Sequence, residues 1–213
     1  GRLVAIVSKK EEDADDLVRR CKFIYDNIPP DLLPFKPVAE YKYTELRFPE
    51  IDSKIKGFPQ GPDQLRQYTC SRIFADEAAF WPQAKATFTA MKPTLEGGGK
   101  ICMVSTRSPG FFKDVIEDTL DAEVGVESGY VQGTSPVQTA TVTAPMEGVK
   151  EWRNAKNGFK VIDLSFKADP RKRSEEWLKS SRSGLARSEW NREYGDEWIV
   201  YDGKPVYQTY SDT

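Results

Sequence analysis

Three short apolar runs, each followed by a polar or helix-like segment, constrain the fold more than any other feature of the sequence. They lie within Leu3–Val7 (LVAIV), Ser71–Glu77 (SRIFADE) and Lys100–Ser105 (KICMVS). Continuous apolar runs of this length are typical of strands buried on both faces of a parallel sheet. Apolar residues at helical spacing follow each run, within residues 14–25, 80–91 and 110–120. The sequence therefore predicts an α/β fold, with a mainly parallel sheet and helices on both faces.

Composition excludes several classes of function. The 213 residues contain no histidine, which removes Ser-His-Asp and Cys-His catalysis and every metal site that needs imidazole. The 31 basic and 33 acidic residues give a net charge of −2, so a generally basic nucleic-acid coat is excluded while a local basic patch is not. No apolar run approaches the ~18 residues of a membrane helix. Cys21, Cys70 and Cys102 lie among apolar residues, which predicts buried free thiols in a reducing compartment.

The composition shifts at Lys167. Before it, residues 137–142 alternate like an edge hairpin and residues 159–166 alternate like a last strand. After it, the chain is rich in basic and aromatic residues, and we predict two short helices and then an extended arm with a turn at Asp202-Gly203. We therefore predict a core over residues 1–166 and a small helical linker over residues 167–213.

Polar side chains follow the second and third predicted strands. Asp76 and Glu77 end one strand, and Ser105 and Thr106 end the next. In open α/β sheets, ligands bind at the carboxyl ends of the strands, so these residues mark the expected site. Paired acids can hold Mg²⁺ and polarise an attacking water, and hydroxyls can sense a phosphate. The alternative is structural, because acids also favour the start of a helix and hydroxyls also cap one.

Taken together, these motifs resemble a known family. The pairing of RIFADEAAFW with KICMVSTRSPG resembles the Walker B acids and the coupling motif of the large terminase subunit of tailed bacteriophages. The resemblance continues, in the same order, through segments that flank these motifs: Leu3–Leu17, Gly57–Arg66 and Asp169–Tyr207. It covers nearly the whole chain and implies a P-loop NTPase-like fold of the RecA/ASCE type.

The resemblance also implies roles for particular residues and the cofactors ATP and Mg²⁺. Asp76 would be the magnesium acid and Glu77 the catalytic glutamate. Arg66 occupies the position from which the family's arginine reaches a neighbouring subunit's ATP, and Arg72 and Arg107 are the rival arginines. Coupling of hydrolysis to DNA movement would involve Ser105, Thr106 and Arg107.

One departure from the family concerns the phosphate-binding loop. The sequence contains no G-x-x-x-x-G-K-S/T motif, whose backbone amides cradle the phosphates. Gly97–Lys100 fails the pattern, because Thr94 replaces the first glycine and Ile101 replaces the hydroxyl residue. The family places this loop before the strand at Leu3 and the nuclease acids after the linker. We therefore expect a motor domain that lacks its first strand, its phosphate loop and the nuclease, and that is inactive by itself.

The basic stretch of the tail is a candidate DNA contact. Such contacts would be independent of base sequence and sensitive to salt. The alternative is a solvated helix face, because Glu175 and Glu176 interleave with the cations. Trp177, Trp190 and Tyr194 are expected to dock the linker rather than to stack on bases. The candidate cations are Arg171, Lys172, Arg173, Lys179, Arg182 and Arg187.

The resemblance implies an ATPase motor that translocates double-stranded DNA into a viral procapsid. Its partners would be DNA, the portal protein, a small terminase subunit and further copies of itself in a ring, in the host cytoplasm and transiently on the procapsid, without a membrane. Two alternatives stay open. One is another DNA-translocating or helicase-like P-loop ATPase, and the other is a degenerate α/β module that binds DNA or protein without catalysis.

Overall fold

The computed structural model describes residues 1–117, 143–154 and 156–194. These residues form two compact units. The first contains residues 1–106 and 110–117, and the second contains residues 107–109, 143–154 and 156–194. The predicted hairpin at 137–142 and the predicted arm with its turn at Asp202-Gly203 lie outside the described residues. The predicted division of function at residue 166 stays a prediction.

The first unit is built on a six-stranded sheet, ordered β2-β3-β4-β1-β5-β6. Strands β4, β1, β5 and β6 are parallel, while β2 and β3 form an antiparallel extension at one edge. The predicted mainly parallel sheet is therefore confirmed. The strands are β1 Leu3–Ser8, β2 Glu40–Lys42, β3 Glu45–Phe48, β4 Ser53–Pro59, β5 Arg72–Ala75 and β6 Lys100–Met103.

Helices cover both faces of this sheet, as predicted. Helix α1 (Glu11–Asp26) buries Val18 against Ile6 and Leu46 on one face. Helix α2 (Ala84–Thr94) packs Met91 against the opposite face, together with Val7 and Ile73, and α3 (Phe111–Glu117) adds Phe112 there. Each face thus has its own apolar cluster, as the period-2 alternation of a strand requires.

A buried carboxylate ties the antiparallel extension to α1. Asp15 is 3% exposed and accepts hydrogen bonds from the Tyr41 hydroxyl at 2.7 and 2.9 Å and from the Thr44 backbone N–H at 2.6 Å. Arg19 adds an ion pair at 3.1 Å. Because a buried charge must be paired to be tolerated, these contacts fix the position of β2 and β3.

The second unit contains an antiparallel sheet in the order β7-β8-β9 and two short helices. Phe166 contacts Trp177 and Trp190, with ring centroids 5.5 and 5.6 Å apart, and Tyr194 contacts both tryptophans. The aromatic residues predicted to dock the linker therefore pack on one another and on Phe166. The elements are β7 Thr143–Met146, β8 Val149–Arg153, β9 Lys160–Leu164, α4 Glu175–Arg182 and α5 Arg187–Glu193.

The prediction of three buried thiols is only partly right. All three cysteines are free, Cys70 is buried and Cys21 is half-buried, but Cys102 is exposed. Cys102 lies on β6, the last strand of the sheet, whereas α1 packs against β1, β3 and β4 at the other side. The apolar run around Cys102 therefore does not imply burial on both faces.

No helix within the described ranges is long and apolar enough to span a membrane.

Candidate functional site

The carboxyl ends of the four parallel strands meet at one edge of the first unit. Ser8 pairs in register with Pro59, and Ala75 pairs with both Val7 and Met103. The residues that follow these positions therefore lie side by side. This places Asp76 and Glu77 next to Ser105, as predicted from the polar strand exits.

Asp76 is held at this edge by backbone hydrogen bonds on both sides. Its N–H donates to the Val7 carbonyl at 2.8 Å, and its carbonyl accepts from the Trp81 indole N–H at 2.9 Å. Burial raises the pKa of the Asp76 carboxyl, while the nearby charge of Arg20 on α1 lowers this pKa in part. Asp76 is thus a half-buried carboxylate on the α1 side of the sheet.

Glu77 turns the chain out of the strand in an unusual backbone conformation. Its φ and ψ of 50° and 41° lie in the left-handed region, which residues other than glycine rarely adopt. The next N–H, that of Ala78, donates to the Val104 carbonyl at 3.1 Å and so pulls the turn toward β6. Such conformations cost on the order of 1–3 kcal/mol and persist at functional sites where the surroundings impose them.

Ser105 contacts this turn directly. Its hydroxyl donates to Glu77 Oε2 at 3.3 Å and accepts the Ala79 backbone N–H at 3.2 Å. The side chains of the two acids therefore point in different directions. Asp76, two residues after Phe74, lies on the α1 side of the sheet, whereas Glu77 contacts Ser105. The Ser105 hydroxyl could instead donate a hydrogen bond to a phosphate oxygen, and the Glu77 carboxylate could then accept one from a water.

The raised pKa of Asp76 predicts a pH-dependent effect of Asp76→Asn on stability. Because the folded carboxyl holds its proton more tightly than the unfolded one, the wild-type chain loses stability as pH rises above ~4 through the folded pKa. Asparagine does not ionise and escapes this loss. We expect the variant to melt higher than the wild type at pH 7–8, with the difference vanishing near pH 4.

Thermal unfolding of the 213-residue chain in metal-free buffer between pH 4 and 8 measures this effect. The exposed Asp31→Asn serves as the matched control and should show no such trend. A variant that melts lower than the wild type at pH 8 would contradict burial as the dominant influence on Asp76.

The donor set suits Mg²⁺ that arrives with a nucleotide rather than a resident metal. Within the described residues, no group of three or more Asp, Glu, Cys or His side chains could hold a metal ion. Mg²⁺ keeps several waters and binds through one or two carboxylates plus substrate phosphates. Asp76 could supply the one carboxylate that such a nucleotide-bound Mg²⁺ needs.

Arg66 lies in the segment between β4 and β5, directly after the buried Leu65. Its Nε donates to the Pro62 carbonyl at 3.1 Å and lies 3.2 Å from Asp63 Oδ1, while its side chain is 67% exposed. The rival Arg72 begins β5 at the amino end of the sheet, about 13 Å of strand from Asp76. Both arginines are exposed, and Arg66 stays the predicted finger with Arg72 as its rival.

The residues after Ser105 go to different places. Thr106 is exposed at the end of the first unit. Arg107 belongs to the second unit, where its guanidinium contacts Asp163 on β9. Arg107 is therefore engaged in an ion pair, which argues against it as an arginine finger.

Most of the basic residues in the tail make contacts within the second unit. Arg171 pairs with Asp169 at 3.0 Å and Arg173 pairs with Glu147 at 3.0 Å. The cationic groups of two others lie over rings, Lys172 over Trp177 and Arg182 over Trp190, while Lys179 and Arg187 are exposed. DNA contact by these residues stays a prediction.

Two residues near the site were missed by the sequence analysis. Gln60 follows β4, donates its N–H to the Ser8 carbonyl at 2.7 Å and accepts the Gln83 N–H at 3.3 Å. Trp81 anchors the Asp76 carbonyl, so α2 begins only at Ala84 rather than near Phe80 as predicted. The Trp81-Pro82 pair was the available signal, because proline disfavours a helical conformation in the residue before it.

Comparisons with known proteins agree with this architecture. No protein-family model and no curated protein matches the chain. The solved structures that match include two of the large terminase ATPase domain of Thermus phage P74-26. An arginine-to-alanine mutant has a TM-score of 0.56 and 18% identity, covering 93% of this chain and 78% of its own. The unmutated domain has a TM-score of 0.53 and 20% identity, covering 93% and 77%. The resemblance predicted from the motifs is thus confirmed at the level of structure, and the chain has the fold of a phage large terminase ATPase domain.

Proposed function

We propose that this chain is the ATPase motor domain of a viral large terminase, which couples ATP hydrolysis to translocation of double-stranded DNA into a procapsid. The observation that carries the proposal is the hydrogen bond between Glu77 and Ser105. It joins the acid of one strand exit to the hydroxyl of the next, at the edge where α/β sheets bind ligands. The shared fold of the phage ATPase domain supports the same assignment.

In this proposal the two acids divide the work. Asp76 would hold Mg²⁺, which when bound to ATP neutralises the charge that develops on the phosphates. Glu77 would orient and polarise the attacking water. The different directions of the two side chains suit this division. Asp76 lies by α1, whereas Glu77 contacts Ser105, which follows β6, here called the coupling strand.

The coupling step would run through β6. Loss of the γ-phosphate would be sensed by Ser105 and Thr106, which follow that strand. Since Ser105 also accepts the Ala79 N–H, any change at the hydroxyl also affects the turn that carries Glu77. Partners in this proposal are double-stranded DNA, the portal protein, a small terminase subunit and further copies in a ring, acting in the host cytoplasm on the procapsid.

ATP hydrolysis tests the proposed function. It should be measured side by side on these 213 residues and on the full-length gene product, each with and without linear double-stranded DNA. We expect turnover by the full-length protein, raised by DNA, and none by the 213 residues, which contain no phosphate-loop motif. If the full-length protein neither binds nor hydrolyses ATP, the proposal is wrong and the chain is a binding module.

A further inference from the structure

Arg107 and Asp163 form an ion pair in the second unit. Their side chains are less exposed than those of the pairs Lys160–Glu151, Arg171–Asp169 and Arg173–Glu147. Arg107 Nη2 lies 2.5 and 2.6 Å from the two carboxylate oxygens of Asp163. The two side chains are 14% and 25% exposed. By comparison, Arg173 and Glu147 are 34% and 57% exposed in their pair. An ion pair shielded from water is less screened and more sensitive to loss of a partner.

The position of this pair in the chain gives it significance. Thr106 is the last residue of the first unit on this stretch, and Arg107 is assigned to the second. Only one residue separates Ser105, which contacts Glu77, from Arg107, which contacts β9. The chain that leaves the coupling strand therefore binds the three-stranded sheet through Arg107, four residues after the strand ends at Met103.

Asp163 is well placed to receive such a link. It lies within β9, opposite Lys150 of β8, in a ladder that pairs residues 149–153 with 160–164. A force applied to Asp163 would be shared with the whole antiparallel sheet through these backbone hydrogen bonds. β9 is followed directly by the segment that carries Phe166 of the aromatic cluster.

We propose that the Arg107–Asp163 ion pair transmits movement of the coupling strand to the second unit, so that both are positioning residues for DNA translocation. The inference rests on the proposed function. It adds Asp163, which no motif singled out, and it assigns Arg107 a structural link rather than a contact with ATP.

A charge swap tests the inference. In the full-length gene product, ATP hydrolysis is measured without and with linear double-stranded DNA for R107E, D163R and R107E/D163R. We expect each single variant to keep its DNA-free rate and to lose at least about fivefold of its stimulation by DNA, the lower end of typical coupling between sites. The double variant should recover the stimulation. R107K should keep most of it, because a single nitrogen makes both contacts.

The matched control is the swap K160E/E151K, which reverses a more exposed ion pair of the same unit whose side chains are 55% and 29% exposed. It should leave the stimulation unchanged. The inference is overturned if the single variants lose DNA-free and stimulated rates together, if the double variant does not recover, or if the control swap has the same effect. If the wild-type protein does not hydrolyse ATP, the proposed function falls, and the inference falls with it.

Discussion

We expect Glu77→Gln to lower the rate of ATP hydrolysis by the full-length gene product by about 10²–10⁴-fold, the range typical of removing a general base. Glutamine has nearly the same shape and still offers an oxygen to the Ser105 hydroxyl, which contacts Glu77 Oε2 at 3.3 Å. The left-handed turn and the Ala79 contact should therefore persist. What the variant would lose is the negative charge that polarises the attacking water in the proposed function. ATP binding does not need that charge and should change by no more than about twofold.

Two measurements separate these effects: steady-state hydrolysis, and equilibrium binding of a fluorescent ATP analogue in the presence of Mg²⁺. The control is Glu96→Gln, which makes the same chemical change at an exposed position after α2. Hydrolysis by Glu77→Gln at near the wild-type rate would show that Glu77 is not the catalytic base. A parallel loss of binding would indicate instead that Glu77 maintains the site.

The parts of the fold that repeat a local pattern could be predicted from the sequence. Leu3–Val7 is a continuous apolar run and is indeed a buried central strand. The shared location of Glu77 and Ser105 at one edge also followed from local information, because parallel strands bring their carboxyl ends to the same edge. Their direct contact depends on the pairing of β5 with β6.

The parts that depend on distant packing could not be predicted. Arg107 and Asp163 are 56 residues apart, and no local spacing rule pairs side chains at such a separation. Cys102 was expected to be buried because it lies in an apolar run. The prediction was wrong, since such a run does not show whether its strand is the last of a sheet. The direction of each acid was likewise open, since it depends on the turn at Glu77.

Arg66 has the properties expected of a residue that acts on a second subunit. Its side chain is 67% exposed, and its ion-pair partner Asp63 is 85% exposed, so the pair is weak and easily exchanged. The segment beneath it is firmly held, because Leu65 is 2% exposed. A fixed backbone with an exposed guanidinium suits an arginine finger, and such fingers contribute ~10³–10⁵ in rate.

Arg66→Ala should therefore lower DNA-stimulated hydrolysis by about 10³-fold or more, whereas the control Arg72→Ala, at the amino end of β5, should change it little. Mixing subunits distinguishes action on a neighbour from action within one chain. In an equal mixture of Arg66→Ala and Glu77→Gln proteins, a site is complete when a subunit with intact Glu77 is followed by one with intact Arg66. In a head-to-tail ring this applies to about a quarter of the sites, so roughly a quarter of the wild-type rate should return. If the mixture stays as inactive as its components, Arg66 serves its own subunit, and full activity of Arg66→Ala alone would exclude it as the finger.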